Sequence, residues 1–241
     1  MLRLFASDLH LRPERPDLCG AFLQFLQQTA PGADELYLLG DIFEAWIGDD
    51  APMPGLDEVY AALPALAASG TRLYFQHGNR DFLVGQAFME RIGAQLLPGE
   101  QVIDHPRGPV LLMHGDQLCT DDVEYQAFRA QVRDPEWQRQ FLAQSLEQRM
   151  AIARQLRDAS KARGMEKTAD IMDVNPQAVK AAMQQAGVEL LIHGHTHRPA
   201  IHPDQIGAGV GTRIVLGDWD ARGWYLRLDD AGFELIDFPI D

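Results

Sequence analysis

Glu35-Leu36-Tyr37-Leu38-Leu39-Gly40-Asp41 is the stretch on which the reading of this chain turns. A short, mostly apolar run reads as a buried strand, and Gly-Asp ends it. Alone, a Gly-Asp pair is an ordinary turn. The same arrangement recurs along the chain, however. Leu2–Ala6 precedes Asp8-Leu9-His10, and Arg72–Gln76 precedes Gly78-Asn79-Arg80-Asp81. Val110–Met113 precedes His114-Gly115-Asp116, and Val188–Ile192 leads into Gly194-His195-Thr196-His197. Small and turn-forming residues at strand ends let each loop bend tightly and aim its polar side chains at one rim, where α/β proteins commonly build sites.

Between these strands, Asp17–Thr29 and the Ala/Leu-rich Leu56–Ala68 read as helices. Val102-Ile103 and Val110–Met113 read as a hairpin around His105-Pro106-Arg107-Gly108, whose second strand delivers His114. The tail, with Arg213–Leu216, Trp224–Leu228 and Phe233–Phe238, reads as a meander of three antiparallel strands separated by Gly and Asp. Alternating strands and helices followed by a meander predict an α/β fold, a two-sheet sandwich flanked by helices.

The stretch from about 121 to 167 differs in kind: it holds one Pro, has no Gly before Gly164, and is rich in Gln, Arg, Ala and Leu. It is expected to be a helical insertion in a single domain covering 1–241. Phe128, Trp137, Phe141, Leu142, Leu146, Met150, Ile152 and Leu156 give it more apolar bulk than a surface helix requires. Core packing would account for them, and so would an apolar pocket roofed by the insertion as a lid.

With 46% hydrophobic and 23% charged residues, the 241-residue chain is an ordinary globular protein with ample material for a core. No apolar stretch approaches the ~20 residues of a membrane-spanning helix. The start lacks the basic-then-apolar pattern of a signal peptide. Cys19 and Cys119 give no disulfide framework, which fits a reducing cytoplasm. A net charge of −14 argues against nucleic-acid binding, and no protein partner is evident. Yet between Arg129 and Lys167 nine basic residues stand against five acidic ones, an island suited to an anionic partner such as a membrane surface, or simply a solvated helix.

The clusters themselves are metal-competent. Asp8 and His10, two apart at a strand end, can point to one side of the sheet. Asp41 is placed where one carboxylate can bridge two cations; Asn79 offers a neutral amide oxygen, and His114, His195 and His197 offer imidazoles. A mixed oxygen and nitrogen set suits manganese, iron, zinc or magnesium, and two such ions ~3.5–4 Å apart can drive in-line phosphoryl displacement. His105 and His202 read as loop residues, and His77 and His193 as packed or supporting groups.

The series Asp-x-His, Gly-Asp, Gly-Asn-x-Asp, His-Gly-Asp and Gly-His-x-His resembles the calcineurin-like metallophosphoesterase superfamily. Longer strings narrow the resemblance: Gly40-Asp41-Ile-Phe-Glu-Ala-Trp-Ile-Gly-Asp-Asp50, His77-Gly-Asn-Arg-Asp-Phe-Leu83, His114-Gly-Asp-Gln-Leu-Cys-Thr-Asp-Asp122, Ile171-Met-Asp-Val-Asn175 and His193-Gly-His-Thr-His-Arg-Pro199. These are similar to the UDP-2,3-diacylglucosamine pyrophosphohydrolases of lipid A biosynthesis. The resemblance implies an αββα sandwich and hydrolysis of a UDP-linked diacylated glucosamine to UMP and 2,3-diacylglucosamine 1-phosphate (lipid X). Two Mn2+ ions would serve, peripherally on the cytoplasmic face of the bacterial inner membrane. It implies that Asp8, His10, Asp41 and His197 hold one ion, and Asp41, Asn79, His114 and His195 the other. Asn79, Arg80 and His195 would act in catalysis, and Asn79, Arg80, Asp122, Ser160, Lys167 and His195 would contact substrate. Gly164 lies in the same stretch, where relatives can carry Asn; glycine leaves only a backbone contact.

Arg80 carries mechanistic content of its own. Many superfamily members have histidine there, suited to protonating a poor alkoxide leaving group. Arginine stays protonated and cannot do this, but it presents a fixed fork of donors to phosphoryl oxygens. A phosphoanhydride expels a good leaving group, so Arg80 favours pyrophosphate cleavage over alkyl phosphodiester cleavage. Two other readings compete: a soluble nucleotide pyrophosphatase or phosphodiesterase, which would not need the apolar basic insertion, and a non-catalytic scaffold, which would have no need of a complete ligand set.

Overall fold

The computed structural model describes residues 1–166, 171 and 173–240, the side chains of 159–166 excepted. Along the chain run β1 (Arg3–Ala6), α1 (Pro16–Gln24), β2 (Glu35–Leu39), α2 (Asp57–Ala68), β3 (Arg72–Gln76), α3 (Gln86–Ile92) and β4 (Ala94–Leu96). Next come β5 (Glu100–Ile103), β6 (Val110–Met113), α4 (Val123–Arg133), α5 (Pro135–Leu142), α6 (Leu146–Glu166), α7 (Pro176–Ala186) and β7 (Leu190–His193). β8 (Ala200–His202), β9 (Thr212–Val215), β10 (Arg222–Asp229) and β11 (Gly232–Pro239) follow.

The strands form a six-stranded sheet, β11-β10-β1-β2-β3-β4, and a five-stranded one, β5-β6-β7-β9-β8. β1, β2, β3 and β4 run parallel, with Leu4 opposite Leu36 and Leu36 opposite Leu73. β6, β7 and β9 run parallel in the other sheet. Burial on both faces explains why the central strands β1, β2 and β6 read as near-continuous apolar runs. Phe5, Tyr37, Leu39, Leu112, Ile192, Ile214 and Leu226 fill the space between the sheets. Leu4, Leu36, Leu38 and Phe75 face the other way, against Leu18 and Phe22 of α1, Val59 and Leu63 of α2 and Phe88 of α3. On the far side, Leu111, Met113 and Leu191 pack on Val179 and Met183 of α7. Helix, sheet, sheet, helix is the predicted αββα sandwich.

The terminal meander is corrected. β9 is not the antiparallel neighbour of β10: it lies in the five-stranded sheet, parallel to β7 and antiparallel to β8, while β10 and β11 extend the other sheet next to β1. Alternation marks a strand without saying which sheet receives it. The connection crosses the rim, where Leu216 N donates to His193 O (2.7 Å) and Trp219 N to Asp8 O (3.0 Å). The sequence reading also passed over α3, β4, β8 and α7. The last was marked by Asn175, whose side chain accepts from Gln177 N and Ala178 N, by Pro176 in the first turn and by left-handed Gly187 after the end.

The stretch after β6 is helical as expected, in three pieces. Asp122 caps α4 by accepting from Tyr125 N, and Asp134 ahead of Pro135 caps α5 by accepting from Trp137 N.

Candidate metal centre

All the predicted cluster loops meet at one rim of the sandwich. Asp8 N donates to Gly40 O (3.0 Å), His10 N to Asp41 O (3.0 Å) and Gly194 N to His114 O (2.9 Å), which stitches the loops after β1, β2, β6 and β7 together. Asp81 fastens the loop after β3: its buried carboxylate accepts from Gly78 N (2.8 Å), Ile42 N (2.8 Å) and Asp41 N (3.3 Å). The approach is close enough that a Cβ on Gly78 would strike Asp41, and one on Gly194 would strike Asp8 and Ser7.

The backbone is strained at the same places. Seven non-glycine residues have left-handed φ among the described ones, and five of them are Asp8, His10, Asp41, His195 and His197. Such conformations cost about 1–3 kcal/mol each and persist only where the surroundings impose them, as at sites that bind or react.

Two groups of candidate ligand atoms lie within 4.8 Å of one another: Asp8, His10 and His197, and Asp8, Asp41 and His114. Asp8 is common to both. Its Oδ2 accepts from Ser7 Oγ (2.6 Å) and His195 N (2.9 Å), while its buried Oδ1 has no hydrogen-bond partner. The Nε2 atoms of His10 and His197 face each other at 3.3 Å. Behind each ring stands a carboxylate, Glu44 at 3.2 Å from His10 Nδ1 and Asp218 at 3.4 Å from His197 Nδ1. Carboxylates on the outer nitrogens with the inner ones turned together describe imidazoles prepared to ligate a cation. Asn79 Oδ1 lies 3.0 Å from His114 Nε2 and 2.9 Å from His195 Nδ1, and His114 Nδ1 lies 2.9 Å from Leu39 O. An orphaned carboxylate oxygen beside converging ring nitrogens fits a pair of divalent cations, and among the donors no thiolate competes.

The titration behaviour agrees. Burial pushes the Asp8 carboxyl up, but the His197 ring, 3.4 Å from Oδ1, and the other neighbouring imidazoles outweigh it and hold it well below the usual range. Burial lowers His197 too, yet Asp8 and Asp218 overcome it and raise the ring to about 9. Burial, aided by the charge of His114, pushes His195 down to about 4.

A cavity of about 300 Å³ opens beside this centre. Its polar lining includes Asn79, Arg80, Glu44, Arg154 and Arg157, and its apolar lining Trp46, Phe82, Phe128, Trp137, Phe141 and Leu156. Arg80 N donates to Asp41 Oδ1 (2.8 Å), whereas the buried Nε of its side chain has no hydrogen-bond partner among the described residues. Of the insertion residues singled out from sequence, Leu142, Leu146 and Ile152 do not line this cavity. Leu142 and Leu146 are exposed, and Ile152 packs against the large core between the six-stranded sheet and its helices.

Asp8, His10, Asp41, Asn79, His114, His195 and His197 are thus brought together. Asp122 is buried as the cap of α4. Ser160 and Gly164 fall in α6 where side chains are not described, and Lys167 lies outside the described residues. Sequence reasoning missed Glu44, Asp81, Asp218 and a buried group around Asp116, which accepts from Tyr125 Oη (2.8 Å) and Arg129 Nε (2.7 Å). Glu44, Asp81 and Asp116 stand inside quoted motifs and could have been found there; nothing local marked Asp218.

Residues 1–199 match the model of the calcineurin-like phosphoesterase family. The chain is 53% identical to a protein of Stenotrophomonas maltophilia named UDP-2,3-diacylglucosamine hydrolase, over 98% of both chains. It is 54% identical to the protein so named in Xanthomonas axonopodis pv. citri, over 98% of both, and 53% identical to that of Xanthomonas oryzae pv. oryzae, over 100% of both. With the family's ligand motifs gathered at one rim of its sandwich, the chain belongs to the calcineurin-like phosphoesterases, on the branch of the UDP-2,3-diacylglucosamine hydrolases.

Proposed function

We propose that this protein is a dinuclear-metal pyrophosphohydrolase that cleaves UDP-2,3-diacylglucosamine into UMP and 2,3-diacylglucosamine 1-phosphate. The observation that carries the reading is the continuity of the cation cluster with the apolar cavity: Asn79 belongs to both, and Arg80 stands between them with a buried donor unused. A diphosphate joined to a diacylated sugar has the same order of chemistries, anionic at one end and apolar at the other.

Asp8, His10, Asp41 and His197 would hold one ion, and Asp41, Asn79, His114 and His195 the other, with manganese preferred. When bound, the two ions supply Lewis-acid polarisation of the phosphoryl group and an activated water. The chain's own residues do the rest. Asp81 fixes the loop that carries Asn79 and Arg80. Arg80 offers its guanidinium to the charge that builds on the phosphoryl oxygens, and no acid is needed for the phosphate that departs. Tyr125, stacked on His195 with ring centroids 5.9 Å apart, closes one side of the reaction space. Asp122, Ser160, Lys167 and the backbone at Gly164 would contact the substrate beside Asn79, Arg80 and His195.

The helices of 121–167 act as the lid over the acyl chains within the single domain 1–241; Trp137, Phe141 and Leu156 on the cavity wall support this. None of the described helices is long and apolar enough to cross a membrane, and we place the protein peripherally on the cytoplasmic face of the inner membrane. Exposed Leu142, Leu146 and Met150 support that placement more than the basic island does. Arg129, Arg133, Arg139, Arg149 and Arg157 are engaged with Asp116, Glu136, Asp50 and Glu44.

The test is UMP release from UDP-2,3-diacylglucosamine and from its deacylated counterpart, with manganese present. Efficient release from the diacylated substrate and a much higher KM for the deacylated one are expected. Equal efficiency on both would favour a soluble nucleotide pyrophosphatase, and release from neither would overturn the reaction.

A further inference from the structure

Glu44 sits just beyond Asp41 in the loop after β2, where Glu44 N donates to Leu11 O (3.1 Å) and Leu11 N to Ile42 O (2.9 Å). This zipper lays Glu44 directly behind His10. The side chain is 8% exposed, yet it serves three groups. Oε2 lies 3.2 Å from the buried His10 Nδ1, within ion-pair reach but off hydrogen-bond alignment, and accepts from Arg12 Nη1 at 3.1 Å, and Oε1 pairs with Arg157 of α6. Both Glu44 and Arg157 also line the apolar cavity. A buried carboxylate behind an imidazole takes its N–H, and this leaves the opposite nitrogen with a lone pair in a fixed direction. Here that nitrogen is His10 Nε2, 3.3 Å from His197 Nε2.

Resting on the two-cation reading of the site, we propose that Glu44 is a positioning residue with two connected duties. It fixes the tautomer and ring plane of His10 so that Nε2 faces the cation position, and it anchors Arg157, so that the wall supplied by α6 is tied to the histidine side of the centre. Asp218 stands behind His197 in the same manner but is 35% exposed and pairs with no residue of the cavity-wall helices among the described residues, so it has the first duty alone.

The experiment compares the full chain with Glu44→Ala, Glu44→Gln and Arg157→Ala, all stripped with chelator, titrated with Mn2+ by calorimetry and checked for folding by thermal melting. The unaltered chain is expected to bind two ions. Glu44→Ala should weaken one of them about 10–100-fold and leave the other nearly unchanged. Glu44→Gln keeps an acceptor for His10 and should recover most of that loss. Arg157→Ala should bind both ions normally but show a raised KM for the diacylated substrate.

The proposal falls if Glu44→Ala binds both ions as the unaltered chain does, or if Glu44→Gln is as impaired as Glu44→Ala. It also falls if Arg157→Ala leaves KM unchanged. Should Glu44→Ala fail to fold, the comparison of Glu44→Gln with the unaltered chain decides: a loss at one ion as large as about 100-fold contradicts the tautomer role. Failure of the unaltered chain to bind two ions would instead overturn the reading of the centre itself.

Discussion

Asp8, His10, Asp41, His195 and His197 combine metal-competent side chains with left-handed backbone, a pairing that ordinary turns do not require. Their identities were legible because five clusters recur after apolar runs. Their conformations were not, since strand periodicity carries no information about φ in the loop that follows. The supporting carboxylates were equally hidden: Glu44 and Asp218 meet His10 and His197 only through the fold. Arg80 is the residue whose role the sequence argued most directly, and its unpartnered Nε at the cavity mouth agrees with that argument. Arg80→Ala is expected to lower kcat about 10²–10³-fold, the usual cost of one preorganised donor, with manganese content unchanged by elemental analysis. Joint loss of metal and activity would make the Arg80 side chain a structural support of the centre, since the Ala variant keeps the backbone N–H that donates to Asp41.

At the scale of elements, β2 and β3 coincide with their sequence reading because a central parallel strand, covered on both faces, leaves a compact apolar run with Gly at its end. β9 was recognised as a strand and assigned to the wrong sheet, because the choice is made by the crossing at Leu216–Trp219 and not by the strand itself. β4 and β8, three residues each, are too short to carry a periodic signal. In the insertion, composition predicted helix, and only packing could separate wall from core. Phe141 is buried in the core and also faces the cavity, where it stacks on Trp137 at 5.2 Å, whereas Ile152 packs on that core, partly buried, without lining the cavity. Phe141→Ser should therefore raise KM for the diacylated substrate far more than for the deacylated one. Ile152→Ser should lower the melting temperature without that selectivity. The two variants measured side by side, by kinetics and by thermal melting, check the assignment; the reverse pattern would move the acyl chains elsewhere.

Across the whole molecule, two sheets bring five loops to one rim, and helices α4, α5 and α6 set an apolar wall beside it. The sandwich supplies rigidity: the space between the sheets is filled by Phe5, Leu39, Leu112 and Ile214, each fully buried, so the loops have little freedom to drift. That rigidity is what a pair of cations requires of a centre whose ligands come from both sheets. In the proposed function two ions and the apolar wall act on one substrate. The deciding measurement is UMP release from UDP-2,3-diacylglucosamine by chelator-stripped protein as Mn2+ is added in known equivalents. No release without metal, rising to a plateau at two ions per chain, is the predicted result; full release by the stripped protein, or a plateau at one ion, would contradict it.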